Sequence, residues 1–331
     1  MNFSINKNIE KQMNAWGAER KPFVFMIDYE AKQVKIYDID ESKDNGLLWR
    51  TPKLGNFIPK PEVRPFAWHA TPVSYERYRK AFDLAHAHIL KGDSYLLNLT
   101  MPTSLNTDLT LADIANRCTS PYLVHLENKF VCFSPEIFVR INERGVVKSY
   151  PMKGTIDADI PNAEQLLKNN VKEMAEHHTI VDLIRNDLSR IATDVEVERF
   201  AYIEEIKSNN KRLLQMSSEI SGNLPTDWHA NLGTIFRKLL PAGSITGAPK
   251  LKTVEIICQA EQYERDWYTG VFGVYDGKSV DSCVLIRFIE QGNNELIYKS
   301  GGGITHLSKP EEEYEELINK VYVPFIGNAK I

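Results

Sequence analysis

Hydrophobic and polar residues alternate along this chain in short runs that predict strands separated by a few amphipathic helices. Apolar residues recur at helical spacing over about 74–90, which predicts a helix that Gly92 and Asp93 end. Short apolar runs bounded by turn residues predict strands at residues 23–27, 95–100, 137–141, 146–150, 270–275, 279–290 and 295–300. Further helices are expected at about 232–240 and after Pro161, Pro249 and Pro310. Strand hairpins interleaved with helices predict an α+β fold in which helices cover antiparallel sheets.

One predicted hairpin brings two ionisable side chains to its open end. Residues 137–141 and 146–150 form its strands, and residues 142–145 form its turn. Counting the register about this turn places residue 136 opposite roughly residue 151, so Glu136 and Lys153 lie at the same end. An acid and an amine beside Gly154 are a candidate reaction site. A surface ion pair next to a turn is the alternative interpretation.

The long helix expected after Pro161 carries an inward-facing carboxylate. Glu176 is in register with Ile180, Leu183 and Asp187, at spacings of four, seven and eleven residues. An unpaired carboxylate on such a mostly apolar stripe is costly, so Glu176 needs a cation partner. A metal ion and a neighbouring Lys or Arg both satisfy this requirement, and the helix alone does not distinguish them.

The last predicted helix offers more carboxylates. Residues 308–311 predict a capping box with Pro310 near the first turn. Glu313, Glu316 and Lys320 follow on one face of this helix. Carboxylates from two helices supply the oxygen ligands that Mg²⁺ takes in proteins. The alternative is that the acidic helix start favours the helix dipole and faces water.

Two other segments are suited to binding a carboxylate. Residues 243–250 (GSITGAPK) place small residues and hydroxyls before a helix N-terminus, although they lack the spacing of a nucleotide-binding loop. A tight interhelical turn is the alternative there. Arg287 lies among apolar strand residues and is expected to bind a carboxylate or reach a sheet edge. Register counting places Arg287 opposite roughly residue 299, near bare backbone N–H groups at residues 301–303.

Composition limits the classes of function. The 331 residues are 43% hydrophobic and 25% charged with a formal net charge of −4, so no basic field favours nucleic acid. The four cysteines have no C-x-x-C spacing and indicate neither a zinc site nor a disulfide framework, which fits a reducing cytosol. No apolar run approaches membrane-spanning length, and the first residues contain no signal-peptide core. We therefore expect a cytoplasmic protein without nucleic-acid or membrane partners.

Taken together, these segments resemble the chorismate-utilising enzymes, the family that includes component I of anthranilate synthase and of aminodeoxychorismate synthase. The resemblance covers about residues 74–323, and its segments follow one another in the same order as in the family. Residues of about 1–73, before this region, are expected to form N-terminal strands. It implies a single chorismate-binding catalytic domain over 1–331. The implied fold is that of anthranilate synthase component I, two antiparallel sheets packed face to face and flanked by helices. The matching segments are residues 92–100, 134–136, 151–155, 176, 181–187, 243–250, 287, 301–304, 313, 316 and 320.

The resemblance implies a role for each candidate residue. Lys153 is expected to be a nucleophile that adds to C2 of chorismate as the C4 hydroxyl leaves, with Glu136 as general acid and base. Glu176 and Glu316, with Glu313 close behind, are expected to hold Mg²⁺ on the ring carboxylate. The other carboxylate oxygens are expected to contact Thr246, Gly247, Arg287, Gly301, Gly302, Gly303 and Lys320.

Lys153 also bears on the choice of reaction. Anthranilate synthases usually carry alanine there, so the resemblance implies amination of chorismate at C4, on the route to para-aminobenzoate and folate. That mechanism requires Lys153 to be partly neutral. The chain contains no G-x-C-x-G glutaminase motif, so ammonia is expected from a separate glutamine amidotransferase subunit. Leu214 aligns with a histidine that the family usually carries.

Two alternatives stay open. Anthranilate synthase component I would add nitrogen at C2 and eliminate pyruvate, and Lys153 argues against it. A chorismate-binding subunit without catalytic activity is the non-enzyme alternative, and the retention of the charged candidate residues argues against that.

Overall fold

The computed structural model describes residues 5–61, 64–208 and 211–325. Its helices are α1 (Lys7–Ala18), α2 (Tyr75–Leu90), α3 (Leu111–Arg117), α4 (Ala163–Lys168), α5 (Val171–Leu188), α6 (Leu232–Leu239), α7 (Lys250–Glu261) and α8 (Pro310–Asn319). Its strands are β1 (Phe23–Ile27), β2 (Val34–Asp38), β3 (Leu47–Arg50), β4 (Trp68–Pro72), β5 (Leu96–Thr107), β6 (Leu123–Leu126), β7 (Phe130–Cys132), β8 (Ile137–Ile141), β9 (Val146–Ser149), β10 (Met152–Asp157), β11 (Thr193–Ser208), β12 (Lys211–Asn223), β13 (Gly247–Ala248), β14 (Val271–Tyr275), β15 (Val280–Val284), β16 (Phe288–Gln291) and β17 (Leu296–Ile304).

The strands form two antiparallel sheets. The first has the order β10-β12-β9-β8-β15-β14-β1-β2, with β11 also paired to β12. The second has the order β13-β5-β17-β16-β7-β6-β3, with β4 also paired to β5. The chain crosses between the sheets from β15 to β16, and Arg287 lies in this crossover with a φ of 55°.

Four hydrophobic clusters hold the sheets and helices in layers. Val24 and Phe272 of the first sheet pack with Trp49 and Phe288 of the second, so the sheets meet face to face. The opposite face of the first sheet packs against α1, α5 and α6. The second sheet packs its other face against α2, α3, α7 and α8. The α+β fold with helices outside two packed sheets is confirmed.

Helix α2 shows how local sequence fixes an element. The Ser74 hydroxyl accepts a hydrogen bond from the Arg77 N–H at 3.2 Å and caps the helix. Its buried stripe (Tyr78, Ala81, Phe82, Ala85 and Ile89) matches the predicted helical spacing. Among the described residues, no helix is long and apolar enough to cross a bilayer.

Several predicted elements are wrong in detail. The predicted long helix is two helices, because the chain breaks after α4 and the Asn170 side chain caps α5 by accepting from the Glu173 N–H at 3.1 Å. The predicted strand 279–290 is interrupted at the crossover between the sheets. The capping box of α8 does not form, because the Ser308 hydroxyl accepts a hydrogen bond from the Thr305 N–H instead. Helix α1 and the long β11–β12 pair were not predicted, since β11 is rich in charge and lacks a clear apolar alternation.

A buried ion pair ties three elements of the core together. Arg265 is 3% exposed and donates to both carboxylate oxygens of Glu261, at 2.6 and 2.9 Å. The same guanidinium donates to the backbone carbonyls of Asn98 on β5, at 2.6 Å, and of Ile245, at 3.1 Å. Glu261 in turn accepts from the Thr100 N–H at 2.8 Å. This network therefore fixes the segment before β13 against β5 and α7.

Glycine is required at position 247, where β13 pairs with β5. Its φ is 120°, and a Cβ there would lie 1.9 Å from the carbonyl oxygen of Leu96. We expect Gly247→Ala to lower the free energy of unfolding by about 3 kcal/mol or more, since strain and a backbone clash add. Gly92→Ala is the control, with a φ of 82° and open space around its Cβ, and it should cost about 1 kcal/mol. Equal urea-unfolding free energies for the two variants would contradict the close approach.

Candidate active site

The strand after the predicted hairpin positions Lys153. In β8–β9, Arg140 pairs with Lys148 and Ile141 with Val147, which places residue 136 one residue from its predicted register. The chain then enters β10, where Lys153 pairs with Met216 of β12 and the register shifts at Gly154. Gly154 has a φ of 71°, and its Cβ position lies 2.8 Å from Leu167 of α4, so only glycine fits this bulge. Lys153 thereby faces α5, with its Nζ 3.6 Å from Glu176 Oε2.

A glycine segment of β17 lies against carboxylates of α5 and α8. A Cβ on Gly302 would lie 3.2 Å from Glu316 Oε1 and 3.5 Å from Glu313 Oε2. A Cβ on Gly303 would lie 3.1 Å from Glu176 Oε2 and 3.2 Å from Lys153 Nζ. Side chains at these two positions would fill the space between the charged groups. The structure therefore brings together the candidate carboxylates, Lys153 and the glycine segment.

Three lysines separate the glutamates of this cluster. Lys172 Nζ lies 2.6 Å from Glu313 Oε1, and Lys320 Nζ lies 2.5 Å from Glu316 Oε1. Lys320 Nζ also donates to the Gly301 carbonyl at 2.9 Å. Within the described ranges, no three His, Cys, Asp or Glu side chains lie close enough together to hold a metal ion. The buried Glu313 Oε2 atom has no hydrogen-bond partner among the described residues, so this carboxylate still has room for a cation.

The pKa values at the hairpin end reflect burial and charge together. Burial lowers the pKa of Lys153, but the surrounding carboxylates, Glu176 first, outweigh it and raise the net pKa. Lys153 is therefore protonated in the protein alone, opposite to the partial neutrality that nucleophilic attack needs. Burial raises the pKa of Glu136, although a hydrogen bond from Ser244 Oγ to Glu136 Oε1, at 2.5 Å, lowers it in part. The net rise in the pKa of Glu136 favours its protonated form, which can donate a proton to a substrate.

The segment 243–250 is anchored at both ends. Ser244 contacts Glu136, and the half-buried Lys250 lies with its Nζ 2.6 Å from Asp187 Oδ2 of α5. Between them, the Thr246 carbonyl accepts from the Asn98 N–H at 3.1 Å, and Gly247 pairs with Leu97. Thr246 is fully buried. The segment is thus a turn held against β5 that also supplies a hydroxyl to Glu136.

Arg287 reaches the same region from the crossover between the sheets. Its Nη1 donates to the Lys320 carbonyl at 3.1 Å, and its guanidinium stacks on Tyr322, 4.7 Å from the ring centroid. The predicted position opposite residue 299 is wrong, because Phe288 pairs with Lys299 and Arg287 is unpaired. Arg287 Nε is buried without a hydrogen-bond partner among the described residues. Its positive charge helps to lower the pKa of Glu136, which places it beside the same site.

Two charged residues near Lys153 were missed by sequence reasoning. Glu173 approaches the Gly154 Cβ position at 3.1 Å and raises the pKa of Lys153. Lys172 pairs with Glu313 across to α8. Both precede Glu176 by one helical turn, so the spacing that identified Glu176 could have found them.

Comparisons with known proteins identify the family of this chain and several of its relatives. Residues 10–325 match the family described as chorismate binding enzyme. The chain is 50% identical over 316 residues to an uncharacterised PabA-like protein of Pasteurella multocida (strain Pm70), covering 95% of this chain and 97% of that protein. It is 29% identical over 316 residues to aminodeoxychorismate synthase component 1 of Bacillus subtilis (strain 168), covering 89% of this chain and 63% of that protein.

Solved structures agree on the fold. The menaquinone-specific isochorismate synthase from Escherichia coli aligns with a TM-score of 0.69 at 16% identity, covering 95% of this chain and 80% of that chain. Anthranilate synthase component I from Streptococcus pneumoniae TIGR4 aligns with a TM-score of 0.64 at 24% identity, covering 79% of this chain and 60% of that chain. The chain belongs to the family of chorismate-binding enzymes.

The Lys172–Glu313 pair should contribute to stability as well as to the site. Lys172→Met leaves a carboxylate that is 1% exposed without its cation, and we expect a loss of about 2–3 kcal/mol in the free energy of unfolding. Lys309→Met is the matched control, because its pair with Glu312 on α8 is solvent-exposed and should contribute little to stability. Urea unfolding of both variants measures the difference. Equal losses in the two variants would contradict the expectation that the buried Lys172–Glu313 pair stabilises the fold more than the exposed pair does.

Proposed function

We propose that this chain aminates chorismate at C4 to give 4-amino-4-deoxychorismate, using ammonia from a glutamine amidotransferase subunit. One observation carries the proposal: Lys153 lies beside Glu176 and the glycine segment, and its charge acts on the half-buried Glu136. An amine nucleophile and a protonated carboxyl group beside one substrate site suit the displacement of a hydroxyl group. The similarity to aminodeoxychorismate synthase component 1 of Bacillus subtilis supports the same reaction.

The proposed reaction has two steps with balanced protons. In the first, the lone pair of neutral Lys153 bonds to C2, both ring double bonds shift (C1=C2 to C1=C6 and C5=C6 to C4=C5), and the C4–O bond breaks. Glu136 gives its proton to the departing oxygen, which leaves as water. In the second, ammonia bonds to C4, both double bonds shift back, and Lys153 leaves C2 as a free amine. The new C4 ammonium group returns one proton to Glu136, so both residues regain their starting states.

Substrate binding must lower the pKa of Lys153 for the first step to occur. The carboxylates of Glu176, Glu316 and Glu173 hold the lysine protonated in the protein alone. In the described part of the protein alone these glutamates lie too far apart to share a cation, so Glu176, Glu313 and Glu316 would have to approach one another as substrate binds. A cation held there would neutralise part of this charge, and carboxylate oxygens are the ligands that Mg²⁺ takes. Bound Mg²⁺ would supply positive charge for the ring carboxylate. Arg287, Lys320, Thr246 and the N–H groups of residues 247 and 301–303 are proposed to bind the remaining carboxylate oxygens.

The fate of the enolpyruvyl group tests the proposed reaction. Purified protein given chorismate, Mg²⁺ and ammonium should form a product that retains this group, as measured by mass spectrometry. Attack at C4 leaves no amine at C2, so the elimination that forms anthranilate cannot follow. Release of pyruvate in step with a fluorescent aromatic amine, with no lyase present, would show that the protein is an anthranilate synthase instead. An unchanged chorismate sample would favour a binding subunit without activity.

The metal proposal predicts a selective loss of Mg²⁺ binding. Glu176→Gln and Glu316→Gln should each weaken Mg²⁺ affinity, measured by calorimetry with chorismate present, by about tenfold or more. Glu312→Gln is the control, because Glu312 lies on α8 but is exposed and pairs with Lys309. Full amination activity in EDTA-treated protein would overturn the proposed role of the metal.

A further inference from the structure

A small cavity adjoins Glu136 between the first sheet and the helices that cover it. Val139 of β8, Ile184 and Leu188 of α5, and Leu239 of α6 form much of its wall. Glu136 and Ser244 also border the cavity. It offers about 20 Å³ for the centre of a water-sized molecule, and about 10–15 Å³ is enough for one water. The cavity therefore has room for about one small molecule next to the Glu136 side chain.

The walls of the cavity favour a neutral occupant with hydrogen-bonding groups. Val139, Ile184, Leu188 and Leu239 are each less than 9% exposed and offer only hydrocarbon. Asp187 also lines the cavity, but Lys250 already neutralises its carboxylate. Ser149 lines the cavity too, but its hydroxyl donates to the Phe138 carbonyl at 3.0 Å. The remaining hydrogen-bonding wall lies at Glu136 and Ser244. An apolar chamber with polar groups at one end accommodates ammonia or water, whereas an ammonium ion would lose its hydration without gaining a free counterion.

We propose that this cavity is where ammonia waits to attack C4 and where the water formed from the C4 hydroxyl departs. The inference rests on the proposed amination. Glu136 must protonate the leaving oxygen and later accept a proton from the new amine, so both small molecules must pass its carboxyl group. Glu136 lines the cavity, as does Ser244, which donates a hydrogen bond to the Glu136 carboxylate, whereas Lys153 does not line it. Lys153 and ammonia can therefore approach the ring from different places.

Filling the cavity should weaken the use of ammonia without affecting chorismate. Val139→Ile adds one methylene group to the wall, a volume close to that of the expected occupant. We expect the KM for ammonium to rise by about fivefold or more, because ammonia would lose the hydrogen bonds that it makes in the cavity. The KM for chorismate should stay within about twofold. Val147→Ile is the matched control, since Val147 is fully buried in the neighbouring strand β9 but does not line the cavity. Parallel changes in both KM values, or none in either, would overturn the inference.

Enlarging the cavity gives a second test that does not depend on tolerance of a larger side chain. Ile184→Val removes one methylene group, a change that a buried position tolerates with only a modest loss of stability. It should raise the rate with methylamine relative to ammonium by about fivefold or more, since the added room matches the extra methyl group. An unchanged ratio in a folded variant would also overturn the inference. Failure of the wild-type protein to aminate chorismate with ammonium would instead refute the proposed function itself.

Discussion

The site depends on a balance of charge between a cluster of glutamates on α5 and α8 (Glu173, Glu176, Glu313 and Glu316) and the three lysines beside them. Glu176 and Glu313 are each no more than 5% exposed, and carboxylates at this depth are unfavourable without cations. Lys153, Lys172 and Lys320 supply those cations from a strand, a helix and a helix end. The glycine segment of β17 allows the charges to approach the backbone, because any side chain at Gly302 or Gly303 would occupy their space. Lys153 is therefore held protonated in the protein alone, and the proposed reaction requires substrate or a bound cation to change this balance.

The rest of the fold keeps the parts of this cluster in position. The Arg265–Glu261 pair connects β5, α7 and the segment before β13, which in turn places Ser244 on Glu136. Lys250 and Asp187 tie the end of the same segment to α5, the helix that carries Glu176. These ion pairs lie outside the proposed chemistry, but they link its two sides. Movement of α5 relative to β5 would separate Glu176 from the glycine segment, because β17 is paired with β5.

Much of this arrangement could be predicted from the chain alone. The hairpin register brought Glu136 close to Lys153 because strand pairing is a local rule, and helical spacing identified Glu176, Glu313 and Glu316. Helical spacing could place Lys172 on the same side of α5 as Glu176, but it could not reveal its partner Glu313. That contact joins two helices about 140 residues apart in the chain. Arg287 was placed wrongly because a crossover between two sheets looks like one continuous apolar strand. The protonated state of Lys153 follows from charges on three separate elements, which only the folded chain brings together.

The covalent role of Lys153 is the central claim, and mass spectrometry of the protein tests it most directly. Wild-type protein should be mixed with chorismate and Mg²⁺ without ammonium, quenched in acid and digested. The peptide that contains Lys153 should gain the mass of one chorismate less one water, and Lys153→Ala should show no such gain. Absence of this adduct, in a sample that forms aminated product once ammonium is added, would contradict nucleophilic attack by Lys153.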